Sequence, residues 1–221
     1  MAQIRDEVVH ESSLTLVHIL DPIVGSLRVY ASTEVPGFDE SQTSRSLQRL
    51  VTVLQSIHRI GQASAPPKLL EVNIAALMRD LRDAEFADEQ EQIDLRGPDQ
   101  LGWVTDPTMV SLIIGVALRN AMESRSQKGG RKVTCEWEVG QNELVLRVSD
   151  DGRGPGQESQ VLFEPGVTTK SGHAGLGLAI ASQAARSLRA SLALRARSPS
   201  GALFEARLPR LQGGPGADSG G

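Results

Sequence analysis

The 221-residue sequence is poor in aromatic residues, with four Phe, two Trp and one Tyr. Any core has to be aliphatic, drawn from the Leu, Val, Ile and Ala that dominate its 39% hydrophobic content. That content is enough for one mid-sized domain or two small ones. Cys135 is the single cysteine, which excludes a disulfide framework and a thiolate metal cluster. No basic run stands out and the formal net charge is −4, against the basic surface that a sequence-independent grip on nucleic acid requires. The longest apolar runs, such as 110–118, fall far short of the roughly 18 residues a membrane helix needs. The opening Met-Ala-Gln-Ile-Arg-Asp-Glu lacks the charged-then-apolar layout of a signal peptide. These absences predict a cytoplasmic protein that neither spans a membrane nor binds nucleic acid.

What is present divides in two. Residues 4–31 carry Leu16, Val17, Leu20, Ile23, Val24, Leu27 and Tyr30 at spacings of three and four, the apolar stripe of an amphipathic helix. Pro22 and Gly25 lie inside it, where a kink is expected. "STEVPGFDES" reads as a loop, and a second helix over about 41–63 shows Leu47, Leu50, Val51, Leu54, Ile57 and Ile60 on one face. Such a hairpin has one seam and little to bury it against. Pairing two hairpins as a four-helix bundle solves this, so a homodimer is expected; packing on the chain's own C-terminal part is the alternative. "ASAPPKLL" (63–70) breaks the helical pattern and marks a boundary, giving units of 1–64 and 65–210. The tail 211–221, ending GGPGADSGG, is too polar and glycine-rich to bury.

In the second unit a helix is predicted near 71–83, then the acidic stretch "AEFADEQEQIDLRG". "WVTDP" marks a strand end and a helix start, with Asp106 as N-cap and Pro107 at the first helical position. The helix runs over 107–126, followed by the alternating strands "KVTCEWEVG" and "ELVLRVSD". A helix near 175–188 and strands near 191–197 and 202–208 complete an α+β sandwich, since no regular βαβ alternation is present.

Three segments carry chemistry. Asp150 closes a strand and precedes Gly152-Arg153-Gly154. A carboxylate there can accept a hydrogen bond from an exocyclic amine such as that of adenine, and glycines beside it let the backbone approach a flat base. Taken alone, "SDDGRGPG" is equally a tight turn. "GHAGLGLAIASQAA" (172–185) runs from loop into an apolar helix, whose first N–H groups can cradle phosphate. Thr168, Thr169 and Lys170 stand just upstream. The spacing is neither that of a P-loop nor that of a dinucleotide fingerprint. Asn120 sits on the apolar helix 107–126: a satisfied core amide, or a hard oxygen ligand for Mg²⁺ carried on nucleotide phosphates.

In this order the segments resemble the GHKL nucleotide-binding fold of sensor histidine kinases, gyrase and related ATPases. "LRNAMES" is similar to the kinases' N box, "DDGRGPG" and "GLGLAI" to their two glycine boxes, "LFEPGVTTK" to the F box and "GALFEARLP" to the closing strand. The nitrogen-regulator type is the nearest in pattern. The resemblance implies that Asn120 binds Mg²⁺ and Asp150 the adenine amine of ATP. Gly152 and Gly154 would shape the base pocket. Thr169, Lys170, Gly175, Leu176 and Gly177 would belong to the phosphate side and its mobile lid. Val116 occupies the position where gyrase-type ATPases carry a water-activating Glu, and cannot act as a base.

"HILDPIVGSLRVYA" (18–31) resembles the phosphoacceptor helix of these kinases, with His18 on the acceptor position. "LVTVLQSIHRIGQAS" (50–64) is similar to their second bundle helix. Ile19 stands where the family has an acid, and Asp21, three residues on, is expected to face His18 in its place. His10, followed by Glu11, is the rival acceptor, closer to a fraying helix end. His173 and Ala174 depart from the usual residues before the second glycine box. The implied function is a histidine kinase core that autophosphorylates and passes its phosphoryl group to the receiver domain of a response regulator. No input domain is recognisable in these residues, so a separate sensory protein is expected as partner. A phosphotransfer adaptor and a serine kinase of the anti-sigma type are the alternatives.

Overall fold

The computed structural model describes residues 2–126, 132–152, 154–155 and 176–210, with side chains described from Thr15 onward and not at Ser126. The chain divides into two compact units, Met1–Ala65 and Pro66–Gly221.

The first unit is a helical hairpin. Helix α1 (Ala2–Glu34) continues without interruption past Pro22, although proline cannot donate to the carbonyl of His18 four residues earlier. The turn that follows uses Gly37 in the left-handed region at φ 63° and a short 3-10 segment, Phe38–Glu40, whose Phe38 is buried. Helix α2 (Gln42–Ser64) starts at Ser41, whose side chain accepts the Ser44 N–H at 3.0 Å. The apolar residues of α1 do not form a single seam. Val17 and Val24 are buried, whereas Leu16, Ile19, Ile23, Leu27 and Tyr30 are exposed. On α2, Leu54 is buried, and Leu50 and Val53 are exposed. The arc is therefore wider than one antiparallel neighbour can cover.

The second unit is an α+β sandwich. Strands β1 (Leu70–Asn73) and β3 (Gly102–Thr105) form a small antiparallel pair. The main sheet contains β2 (Ile93–Arg96), β4 (Val133–Val139), β5 (Glu143–Ser149), β6 (Ser191–Ala196) and β7 (Ala202–Pro209). Their spatial order is β2-β4-β5-β7-β6, with β2 parallel to β4 and the remaining pairs antiparallel. Among the described residues the α-helices of this unit are α3 (Ile74–Glu85), α4 (Pro107–Ser126) and α5 (Gly177–Ser187). The core is aliphatic as composition requires: Ile113, Ile114 and Leu118 of α4, Leu144 and Leu146 of β5, and Leu208 of β7 are almost fully buried. On the opposite face of β5 and β7, Glu205 takes a 2.8 Å bond from Arg147 Nε and another from Arg207 Nε. Burial alone would raise the Glu205 carboxyl, but the two guanidinium groups outweigh it and hold the carboxyl below its ordinary value.

Two sequence expectations are corrected. The helix predicted near 71–83 begins at Ile74, because the preceding residues pair as β1 and Asn73 caps the helix by accepting the Ala76 N–H at 3.0 Å. Within the acidic stretch, where no strand is expected from the sequence, Ile93–Arg96 forms β2. Asp106 is the predicted N-cap of α4: its Oδ1 accepts from Thr108 N–H at 2.9 Å and Met109 N–H at 3.1 Å.

The buried Cys135 thiol is pushed up to about 12, first by burial and then by the neighbouring Glu136. Thiolate is the nucleophilic form. Native protein at pH 8 is therefore expected to leave a disulfide reagent unreacted, with thiol release appearing only as denaturant unfolds the domain. Prompt reaction of the folded protein would contradict this packing.

Candidate functional site

The site is organised by one face of α4. Residues four apart share a helix face, which aligns Val116, Asn120 and Ser124. At the Ser124 end lies Asp150, directly after β5, buried and tied to β7 by its N–H to the Ala202 carbonyl at 3.1 Å. Its Oδ1 accepts the Gly152 N–H at 2.7 Å. Burial pushes the Asp150 carboxyl above its ordinary value, and the nearby Asp151 adds to that. Backbone hydrogen bonds at Gly152 and Ala202 and the Ser124 hydroxyl pull the other way without cancelling it. A side chain at Gly152 would collide with the Ser124 hydroxyl. Glycine there is a steric requirement for the Asp150 turn to approach α4.

At the Val116 end lies the start of α5. A methyl group on Gly177 would touch Val116 Cγ1 at 3.5 Å. Leu176 precedes the helix in a right-handed conformation, and among the described residues no side chain caps it. The first N–H groups of α5, as in any helix, have no intrahelical acceptor. Asn120 is half-buried midway between these two ends. The α4 face therefore runs from Ser124, against which Gly152 lies, past Asn120 to Val116, against which Gly177 lies.

A third element, which no local motif marks, closes the Asp150 turn from behind. The loop between β6 and β7 lies backbone to backbone against Asp150, Asp151 and Gly154. Arg197 Nη1 reaches the Asp150 carbonyl at 3.4 Å, and the Ser200 hydroxyl donates to the Asp151 carbonyl at 3.2 Å. Gly201, at φ 111°, has no room for a Cβ against the Asp150 carbonyl, and Gly154, at φ 74°, none against the Gly201 carbonyl. The signal for Gly201 was the turn-forming "SPSG" ahead of a strand. Gly201→Ala is expected to cost about 2 kcal/mol or more, because a left-handed backbone and a clash with main chain add. Denaturant melts measure it. A wild-type midpoint would show that the two loops part freely.

In the helical unit, His18 and Asp21 are both exposed on α1, with Val17 beside His18 buried. His10 lies on the same helix, its side chain outside the described residues. Thr168, Thr169, Lys170, His173, Ala174, Gly175 and the tail 211–221 also lie outside the described residues. Among the described residues, no cluster of three or more His, Cys, Asp or Glu could hold a metal ion by itself. No helix among them is long and apolar enough to cross a membrane.

Residues 105–212 match the family model described as histidine kinase-, DNA gyrase B- and HSP90-like ATPase. Over 213 residues the chain is 26% identical to the C4-dicarboxylate transport sensor protein DctB of Rhizobium meliloti, covering 88% of this chain and 34% of that protein. The chain spans about a third of the length of the curated relatives it matches. Full-length ShkA, solved in complex with AMPPNP, superposes with a TM-score of 0.68 at 21% identity, over 90% of this chain and 45% of that one. The Acinetobacter baumannii histidine kinase AdeS gives 0.60 at 16% identity, over 91% of this chain and 97% of that one. At these identities the two structures bear on the fold, and they extend the likeness over both units.

Proposed function

We propose that this chain, whose residues 105–212 match the histidine kinase-, DNA gyrase B- and HSP90-like ATPase model, is the kinase core of a two-component signalling protein. It would bind Mg-ATP, phosphorylate His18 and pass the phosphoryl group to a response-regulator aspartate. The observation that carries the reading is the α4 face, which sets Asn120 between the Asp150 turn and the start of α5.

Each part of that face suits one part of the nucleotide. Asp150 accepts from the adenine amine, and the glycine turn lets backbone lie against the base. The first N–H groups of α5 suit phosphate oxygens, where the helix dipole favours negative charge. The Asn120 amide oxygen is a hard donor suited to Mg²⁺, which would screen the phosphate charge. Thr169, Lys170 and Gly175 are assigned to the phosphates by their place in the sequence motif. Val116 offers no base for activating water, so the fitting acceptor is a side chain. The His18 imidazole is exposed; its nitrogen would form the new N–P bond as the bond to the β-phosphate breaks, ADP leaves, and the ring gives up a proton. Asp21 is the candidate to orient the ring.

The exposed Leu16, Ile23, Leu27 and Tyr30 of α1 support pairing of two hairpins as a homodimeric bundle, since scattered apolar residues need no partner but a contiguous face does. Incubation with γ-labelled ATP and Mg²⁺ tests the reading: acid-labile label on a histidine is expected. A chain labelled only when a phosphorylated partner protein is supplied would instead be an adaptor, a role that the apolar Ile19 beside His18 favours. Acid-stable label on another protein would indicate a serine kinase.

A further inference from the structure

We infer that Asp106 is a positioning residue for phosphoryl transfer, because it fixes how much free chain separates the helical hairpin from the ATPase domain. The inference rests on the kinase reading above. Helix α2 ends at Ser64, with Ala65 as its C-cap. Pro66 and Pro67 follow, each with a fixed φ and no N–H. The next residue, Lys68, donates its backbone N–H to Asp106 Oδ2 at 2.7 Å. The other oxygen of the same carboxylate caps α4 through Thr108 and Met109. Capping a helix requires only one side-chain oxygen. Here the second is committed to a backbone amide 38 residues upstream, in chain that precedes the first strand of the domain.

Asp106 is buried at 6% exposure, so its three N–H bonds are charge-assisted and shielded from water. The Lys68 side chain, by contrast, is exposed; what is held is the path of the backbone. The entry point of the chain is thereby fastened to α4, the helix that also carries Asn120 and Ser124. With the bond in place, free connector runs from Ala65 to Pro67, which spans at most about 10 Å. Without it, free connector extends to Leu69, and the reach grows to about 17 Å. A longer and looser tether lowers the effective concentration of one group at another. It also spreads the approach angles that in-line attack must restrict. Asp106 should therefore act on the rate of transfer and not on nucleotide binding.

Two substitutions separate this role from simple helix capping. Asp106→Asn keeps an oxygen for Thr108 and Met109 but turns an amide N–H₂ toward the Lys68 N–H. Asp106→Ser retains a good cap and is too short to reach Lys68. In the full chain, both variants are expected to bind a non-hydrolysable ATP analogue with unchanged affinity. Both should become cleavable by trypsin after Lys68 and lose several-fold in autophosphorylation rate at saturating ATP. Newly cleavable variants with a wild-type rate would overturn the inference, as would variants still protected at Lys68. Parallel losses of analogue affinity and rate would reduce Asp106 to a cap for α4 and overturn it as well. No label on the unaltered chain is a different result: it removes the kinase reading itself.

Discussion

His18→Gln is expected to abolish acid-labile labelling while leaving nucleotide binding and folding intact. His18 is exposed on α1 beside the buried Val17, so the imidazole is accessible while its backbone is anchored by packing. Its carbonyl lacks the usual helical donor, because Pro22 stands four residues on. Substitution of an exposed side chain away from caps and core typically changes stability by no more than about 0.5 kcal/mol; glutamine keeps the size and polarity and removes only the nucleophile. Residual label mapping to His10 would transfer the acceptor role there. Asp21→Asn, which keeps shape and loses charge, is expected to slow labelling; an unchanged rate would remove Asp21 as the group that orients the ring. The two units make the readouts separable, since His18 lies in Met1–Ala65 and Asp150 in the second unit.

How much of this was legible in the sequence follows from the range of the interactions involved. Asp106-Pro107 announces the start of α4 because a cap is a local contract between neighbours, and the structure uses Asp106 Oδ1 in that way. Strands β4 and β5 were legible because seven residues suffice to show alternation. β1 and β2, of four residues each, carry too little pattern, and their identity is conferred by pairing with β3 and β4, far away in sequence. The same division runs through the site. Asp150 and Gly152 stood out as a motif, whereas Ser124 and Gly201 acquire their roles only when α4 and the loop after β6 close on Asp150, Gly152 and Gly154. In the hairpin, spacing alone could not tell the apolar residues turned inward, Val17 and Val24, from Ile23 and Leu27, which remain exposed. The second carboxylate oxygen of Asp106 was equally invisible, since nothing local marks Lys68 as its partner.

Asp150→Asn is expected to weaken binding of an ATP analogue by roughly 10–100-fold, the loss of about 1.5–3 kcal/mol carried by a hydrogen bond to a charged acceptor. The Oδ1 position already serves the Gly152 N–H. An asparagine that preserves this bond turns its N–H₂ toward the adenine amine, donor against donor. The same substitution should stabilise the nucleotide-free protein, and the sign follows from linkage. Burial raises the Asp150 carboxyl in the folded state, so the folded chain holds that proton to higher pH than the unfolded chain does. The associated stability is fully present below the unfolded value and is lost as pH rises through the folded one. At neutral pH the wild type therefore carries an ionised carboxylate that its own fold disfavours, and the neutral amide does not. Denaturant melts from pH 4 to pH 8 are expected to show the variant gaining on the wild type as pH rises, while calorimetry shows it losing the nucleotide. A buried acid retained against its own stabilising interest is the mark of a group kept for a ligand. Should the variant bind the analogue as tightly as the wild type, Asp150 would be a turn residue and nothing more.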